Sequence, residues 1–373
     1  MTGLLTAIAV TGIPRITPGT DLVREIAFAI DRDRLALKPG DVLVIASKIV
    51  AKAEGALAEA PDRAAFEALV DAHSRGTVAA RTYGRAGSRL TTKVVRTAAG
   101  TVQAAAGLDR SNAGGRVILH PADPDASAAA LRQGLEDYFR TSLAVLLTDT
   151  SSRPWRQGVS DLVIGASGFR VLDSRRGEPD DEGRTQSVTV RGIADEVAAA
   201  ADLVKGSAEG LPVAVVRGVA EFVDASAAGA RTLSRPVEED WFRWGHVEAI
   251  HRGLGASGEV RPAPHGDAGD DLLTRVERVL HVVRAGDGRT PGQDHWRLRI
   301  EGSGARITLS PTAVPGASTA GGHPLVEAAV GLGALVDRIH TALFAEDLRA
   351  SVRYHWADTG IPLGADVSIE LEL

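Results

Sequence analysis

The stretch Leu143-Ala-Val-Leu-Leu-Thr-Asp-Thr-Ser-Ser-Arg-Pro-Trp-Arg-Gln-Gly158 decides how this chain is read. Leu143–Leu147 is a short unbroken apolar run bounded by turn-forming residues, the pattern of a buried strand rather than a helix. Asp149 and Thr150 stand at the end of that run. The expected strand hands a carboxylate and a hydroxyl out of the core, where α/β proteins commonly place metal and phosphate chemistry. Arg153, Trp155 and Arg156 follow, with Pro154 stiffening the turn. Oxygen ligands beside two guanidiniums suit a polyanion held through a divalent cation.

The composition narrows the classes. A length of 373 residues suggests two or three domains, and an apolar fraction of 44% supports sizeable cores. The net charge of −6 argues against a nucleic-acid binder with a global basic face. The chain has no cysteine, which removes disulfides, thiolate metal sites and cysteine nucleophiles. No apolar run reads as long enough to span a membrane, and no charged segment leads into a signal-peptide core. The expectation is a soluble cytoplasmic protein with neither nucleic acid nor membrane as partner. Only five residues are lysine: Lys38, Lys48, Lys52, Lys93 and Lys205.

Working outward, strands are expected at Leu4–Val10, Val42–Ala46, Thr101–Ala106 and Leu211–Val216. Helices are expected at Asp21–Ile30, Pro61–Arg75, Asp123–Phe139 and Ile193–Val204, with caps at Asp21 and around Asp123–Asp125. This alternation, with some paired strands, predicts a mixed α/β (α+β) domain over residues 1–250. Residues 251–271 are rich in Gly, Pro, Ala and Asp and read as a linker. Residues 272–373 form a second small α/β unit, with helices at Leu272–Arg284 and Pro324–Leu343 and strands at Trp296–Glu301 and Val367–Leu373.

Three expected strand ends carry similar polar residues: Ser47 with Lys52, Asp109 with Asn112, and Asp149 with Thr150. Two aspartates from separate strands suit one or two hard divalent ions held against nucleotide phosphates. Taken singly, each aspartate is equally what a turn uses as a cap. Lys205-Gly-Ser-Ala-Glu-Gly210, between a helix and a strand, offers a lysine and exposed amides to phosphates, or is simply a helix end closed by Gly206. It is not a Walker A loop. His120, His265 and His323 show no metal spacing and read as surface or core filler.

Together these segments resemble the coenzyme F420-0:L-glutamate ligase (gamma-glutamyl ligase) family. The resemblance runs from Gly12-Ile-Pro-Arg-Ile-Thr-Pro-Gly-Thr-Asp-Leu22 through Gly40–Gly55, Ala106-Gly-Leu-Asp-Arg-Ser-Asn112, Asp123–Ala128 and Asp149–Gly158. It continues through Gly192-Ile-Ala-Asp-Glu196 and Pro212–Gly218 to Glu239-Asp-Trp-Phe-Arg243. It implies a GDP-forming ligase that joins L-glutamate to F420-0 through an acyl phosphate. GTP would be the co-substrate and two Mg²⁺ or Mn²⁺ ions the cofactors. K⁺ is allowed, FMN is disfavoured, and the protein would be a homodimer. By resemblance, Ile13, Pro14, Arg15, Ile16, Ser47, Lys52 and Asn112 line the GTP site, completed by Val204, Lys205, Gly206, Ser207, Ala208, Glu209 and Gly210. Asp109, Asp149 and Thr150 hold the ions. Arg153 and Arg156 are the candidate catalytic residues, gripping phosphate or substrate carboxylate.

Two positions depart from the family pattern: Arg15 stands where Glu is usual, and Ser151-Ser152 replaces an aromatic-Gly pair. They leave room for a ligase with another carboxylate or amine substrate, or for a paralogue that binds F420 or flavin without ligating. The tail resembles a shortened nitroreductase-like domain of actinobacterial two-domain ligases at Leu272–Arg284, Pro291–Ile300 and Gly331–Leu335. It lacks the Arg-Arg-Ser-x-Arg opening that grips flavin phosphate.

Overall fold

The computed structural model describes residues 3–83, 90–110, 115–177, 182, 184–185, 190–206, 210–254, 272–284, 296–302, 306–312, 324–346, 348–356 and 362–370. The chain divides into two compact units, residues 1–77 with 94–240 and residues 78–93 with 241–373. The second unit is thus not purely C-terminal. Most of the linker expected at residues 251–271 lies outside the described residues.

The first half begins with β1 (Thr6–Ala9), α1 (Leu22–Arg32), β2 (Asp41–Ala46), α2 (Ser47–Ala53), β3 (Leu57–Ala58) and α3 (Arg63–Ala72). It continues with β4 (Ser74–Tyr83), β5 (Leu90–Thr97), β6 (Val102–Ala104), β7 (Val117–Ile118) and α4 (Pro124–Phe139). Next come β8 (Leu143–Arg153), β9 (Arg156–Ser167), β10 (Asp173–Ser174), β11 (Val190–Arg191), α5 (Ile193–Lys205) and β12 (Val213–Arg217). The sequence missed β4 and β5, which carry no clean apolar alternation.

The central sheet has the order β1-β12-β2-β8-β9. Only β2 and β8 run parallel; the other pairs are antiparallel. Helices cover both faces, which is why β2 and β8 read as continuous apolar runs. Leu43, Ile45, Val145 and Leu147 point to α1 and α4, while Val42, Val44, Ala144 and Leu146 point to α5. Aspartates start three helices: Asp21, Asp62 and Asp123 each accept a hydrogen bond from a first-turn N–H, a contribution of about 1 kcal/mol apiece.

Two expected elements change. Pro61–Arg75 is helical only over α3, and the chain then turns directly into β4. Thr101–Ala106 is a strand only as far as Ala104. Ala105 (φ 50°), Ala106 (φ 58°) and Gly107 (φ 70°) follow in the left-handed region. Two alanines there cost roughly 1 kcal/mol each, so the surrounding contacts hold the turn in place.

The second unit contains α6 (His246–Gly253), α7 (Leu272–Arg284), β13 (Trp296–Glu301), β14 (Arg306–Pro311), α8 (Pro324–Ala345), β15 (Arg349–Trp356) and β16 (Pro362–Glu370). Its sheet is antiparallel throughout, in the order β13-β14-β16-β15. The last strand begins five residues earlier than expected, and β15 was not anticipated. Ala328–Ala345 is long and apolar enough to cross a membrane, contrary to the sequence expectation. Half of that stretch is buried, and Leu332, Leu335, Ile339 and Leu343 pack with α7 and the sheet in the unit's core.

Candidate active site

The sheet brings the proposed segments to one edge. Ala46, the last residue of β2, pairs in parallel with Thr148, so Ser47 leaves the sheet beside Asp149. β12 is antiparallel to β2, and Ala46 N–H donates to Pro212 O at 2.8 Å, so the chain enters β12 through Pro212 at the same edge. β1 ends there too, since Val10 N–H donates to Val213 O at 2.9 Å. The loop Ile13–Ile16 starts from this point. This is the crevice outside the carboxyl ends of parallel strands.

Asp149 does not end its strand. β8 continues through Arg153, with Asp149 opposite Leu162 and Thr150 opposite Asp161 on β9. Asp149 is 8% exposed, and its Oδ2 accepts from Gln103 Nε2 at 2.7 Å and meets His120 Nε2 at 3.1 Å. Strand alternation sends the neighbouring Thr150 side chain to the other face, where it is exposed. Ser151 is buried and donates to Ser152 O at 3.2 Å. His120, read as filler, is in direct contact with the key carboxylate. Its signal was absent because histidine spacing says nothing about a partner 29 residues away.

Asp109 sits on a short bridge to Ile118, and Lys48 Nζ lies 2.5 Å from its Oδ2. Burial pushes the Lys52 ammonium below the usual lysine range, and the Arg15 and Lys48 charges push it the same way against Asp109. Arg15 and Lys48 both lie close to Lys52, a concentration of positive charge that a polyanion would relieve. Ile16 is a core residue and Ile13 packs beside it, so that loop offers backbone rather than apolar side chains to a ligand. Ser47 is buried at the first position of α2.

Lys205 is not an exposed loop lysine. It is the last residue of α5, 3% exposed, and its Nζ donates to Thr148 Oγ1 at 2.8 Å and Asp161 Oδ2 at 2.7 Å. Gly206 (φ 62°) closes the helix, donating to Asp202 O. Asp202 is pushed up by burial and by the Asp161 charge, with Lys205 opposing. Val204 precedes this buried lysine on α5, and Gly210 follows the loop. Asn112, Ser207, Ala208 and Glu209 lie outside the described residues, as do His265 and His323.

Arg153 and Arg156 flank the exposed Pro154-Trp155 turn and face each other across the hairpin. Four residues of extended strand separate Arg153 from Asp149, roughly 13 Å. The structure does not bring the two arginines to the aspartate as the linear sequence suggested.

The carboxylates of Asp109 and Asp149 suit a hard divalent cation, whereas the expected Thr150 hydroxyl is on the other face of β8 from the Asp149 carboxylate. Among the described residues no three acidic or histidine side chains already cluster to hold one. Asp149 Oδ1 makes no hydrogen bond to the described residues, so one carboxylate oxygen is open to an ion. The surface cavity lined by Leu5, Arg191, Glu196 and Phe222 is at the opposite sheet edge and takes no part.

Relatives share this region. The chain is 36% identical over 249 residues to the coenzyme F420:L-glutamate ligase of Methanopyrus kandleri, covering 61% of this chain and 94% of that protein. It is 35% identical over 251 residues to the Methanothermobacter thermautotrophicus ligase, covering 64% and 99%. It is 37% identical over 252 residues to that of Halobacterium salinarum, covering 64% and 95%. A sequence model of the F420-0:Gamma-glutamyl ligase family matches residues 11–218, which take in every segment gathered at the sheet edge, and the chain belongs to that family.

Proposed function

We propose that this protein is a GTP- and divalent-metal-dependent ligase that joins L-glutamate to coenzyme F420-0. The observation that carries the reading is the convergence of Ile13–Ile16, Ser47–Lys52, Asp149 and the entry to β12 at Pro212 on one sheet edge, with Arg15 and Lys48 both close to Lys52. A free carboxylate is a poor electrophile. Its oxygen attacks the γ-phosphorus of GTP, the bond to the bridging oxygen breaks, and GDP leaves. The glutamate amine then attacks the acyl carbon, loses a proton and expels phosphate.

Arg15, Lys48 and Lys52 supply positive charge for the triphosphate. Asp109 and Asp149 would hold Mg²⁺ or Mn²⁺, which would neutralise charge building on the phosphates, while the Thr150 hydroxyl faces away from the Asp149 carboxylate. Lys205 fixes β8 and β9 beneath the site rather than touching phosphate. Arg153 and Arg156, at a hairpin tip, grip substrate only where the tip meets it. A homodimer belongs to the same reading, and light scattering would then give twice the 38.9 kDa protomer mass.

The test is purified full-length protein with GTP, Mn²⁺ or Mg²⁺, glutamate and F420-0. GDP release with a glutamylated product is expected. Absence of both with either metal refutes the reading. Exposed Arg15 beside Lys52, and Ser151-Ser152, favour a second reading in which the acceptor or amine differs; GDP release with another substrate pair identifies it.

A further inference from the structure

Both hydrogen-bond partners of Asp149 fall on the same oxygen. Gln103 Nε2 reaches Oδ2 at 2.7 Å and His120 Nε2 reaches it at 3.1 Å. An ionised carboxylate only accepts, so against a charged Asp149 the His120 Nε2 serves as the donor. The Gln103 amide is itself oriented, because its Oε1 accepts from Thr101 Oγ1 at 2.7 Å, and Thr101 is bonded to Thr97 at 2.8 Å. Gln103 is 2% exposed and His120 13% at its side chain. Neither presents itself to solvent as a free ligand.

The left-handed turn makes room for this pair. A Cβ on Gly107 would sit 2.3 Å from His120 Nε2, 2.4 Å from its Cε1 and 3.1 Å from Gln103 Oε1. Gly107, which ends the left-handed Ala105-Ala106-Gly107 segment, therefore lies directly against the His120 ring and the Gln103 amide. Strain of this kind persists where surrounding contacts over-determine it and clusters at functional sites.

We propose that Gln103 and His120 are positioning residues: together they occupy Asp149 Oδ2 and turn Oδ1 toward the divalent cation as a one-oxygen ligand. The inference rests on the metal-dependent reading above. Outer donors of this type fix a ligating carboxylate, and losing one typically weakens metal binding by about 10- to 100-fold. His120 acts through the aspartate and does not itself coordinate.

The test is Mn²⁺ binding to the full chain, with and without GTP, followed by electron paramagnetic resonance and calorimetry. His120→Leu and Gln103→Leu should each weaken binding by about 10- to 100-fold. His120→Gln, which keeps an N–H donor, should recover most of the loss. Gly107→Ala should mimic His120→Leu, with circular dichroism confirming that each variant is folded. Nitrogen hyperfine coupling on bound Mn²⁺ that disappears in His120→Gln would make His120 a direct ligand and overturn the proposal. Unchanged affinity in His120→Leu and Gln103→Leu also overturns it, leaving the ligase reading intact. A wild-type protein that binds no Mn²⁺ in either condition removes both the metal reading and this inference. If one leucine variant does not fold, the other and His120→Gln decide.

Discussion

Asp149 shows how a single side chain acquires a role from its surroundings. Alone it is a polar residue after an apolar run; in the fold one oxygen is held by Gln103 and His120 while the other stays open. Asp149→Asn keeps the volume and removes the charge. It should weaken Mn²⁺ binding by on the order of 100-fold or more and abolish ligation, with the folded state retained by circular dichroism. Lys205 makes the opposite point. Its ammonium and the Asp161 carboxylate are 4% and 6% exposed, so removing the lysine leaves an uncompensated buried charge. Lys205→Met should cost about 3–5 kcal/mol in urea unfolding. The double variant Lys205→Met/Asp161→Leu should cost less than the sum of the singles. Equal sums would show that the pair does not act as a unit.

At the scale of elements, the β8–β9 hairpin is the feature that hydropathy could not deliver. The apolar run stops at Leu147, yet Thr148 to Arg153 continue the ladder because β9 pairs with them. Trp155 closes the turn at φ 61° and is 92% exposed, and Gly158 (φ 81°) lies where the register shifts. A left-handed non-glycine residue costs roughly 1–2 kcal/mol, partly offset by the greater freedom of glycine in the unfolded chain. Trp155→Gly should therefore leave stability unchanged or raise it by up to about 1 kcal/mol. A clear fall in the unfolding free energy would show that the exposed indole packs on something. Lost ligation at undiminished stability would place the tip at the substrate. Cap residues, in contrast, were legible: Asp21 and Asp123 start helices where a local rule says they should.

At the scale of the molecule, the family match covers residues 11–218, and the second unit has its own core between helices and an antiparallel sheet. That unit carries a buried histidine, His251, whose pKa is lowered to about 4, first by burial and then by Arg278, Arg81 and His281, with Glu248 opposing. The folded state therefore keeps His251 neutral over a range in which the unfolded chain protonates it. Stability is highest above about pH 6.5 and falls as the pH drops toward 4, by on the order of 3 kcal/mol in total. Urea unfolding of this unit across that window should show the slope, and His251→Leu should flatten it. A variant with the wild-type slope would assign the acid sensitivity elsewhere.

Sequence alone determined where the buried strands and capped helices run, because burial pattern and capping are local properties of a few neighbouring residues. It also determined the family, because ordered motifs from Gly12 to Gly218 match as a set. Only the tertiary structure decided which motif faces which. The parallel pairing of β2 with β8 places Ser47 beside Asp149, and antiparallel β12 starts from the same edge. Lys205 reaches Thr148 across 57 residues, and Gln103 reaches Asp149 across 46. Such contacts depend on strand register and helix placement, which the spacing of residues along the chain does not encode.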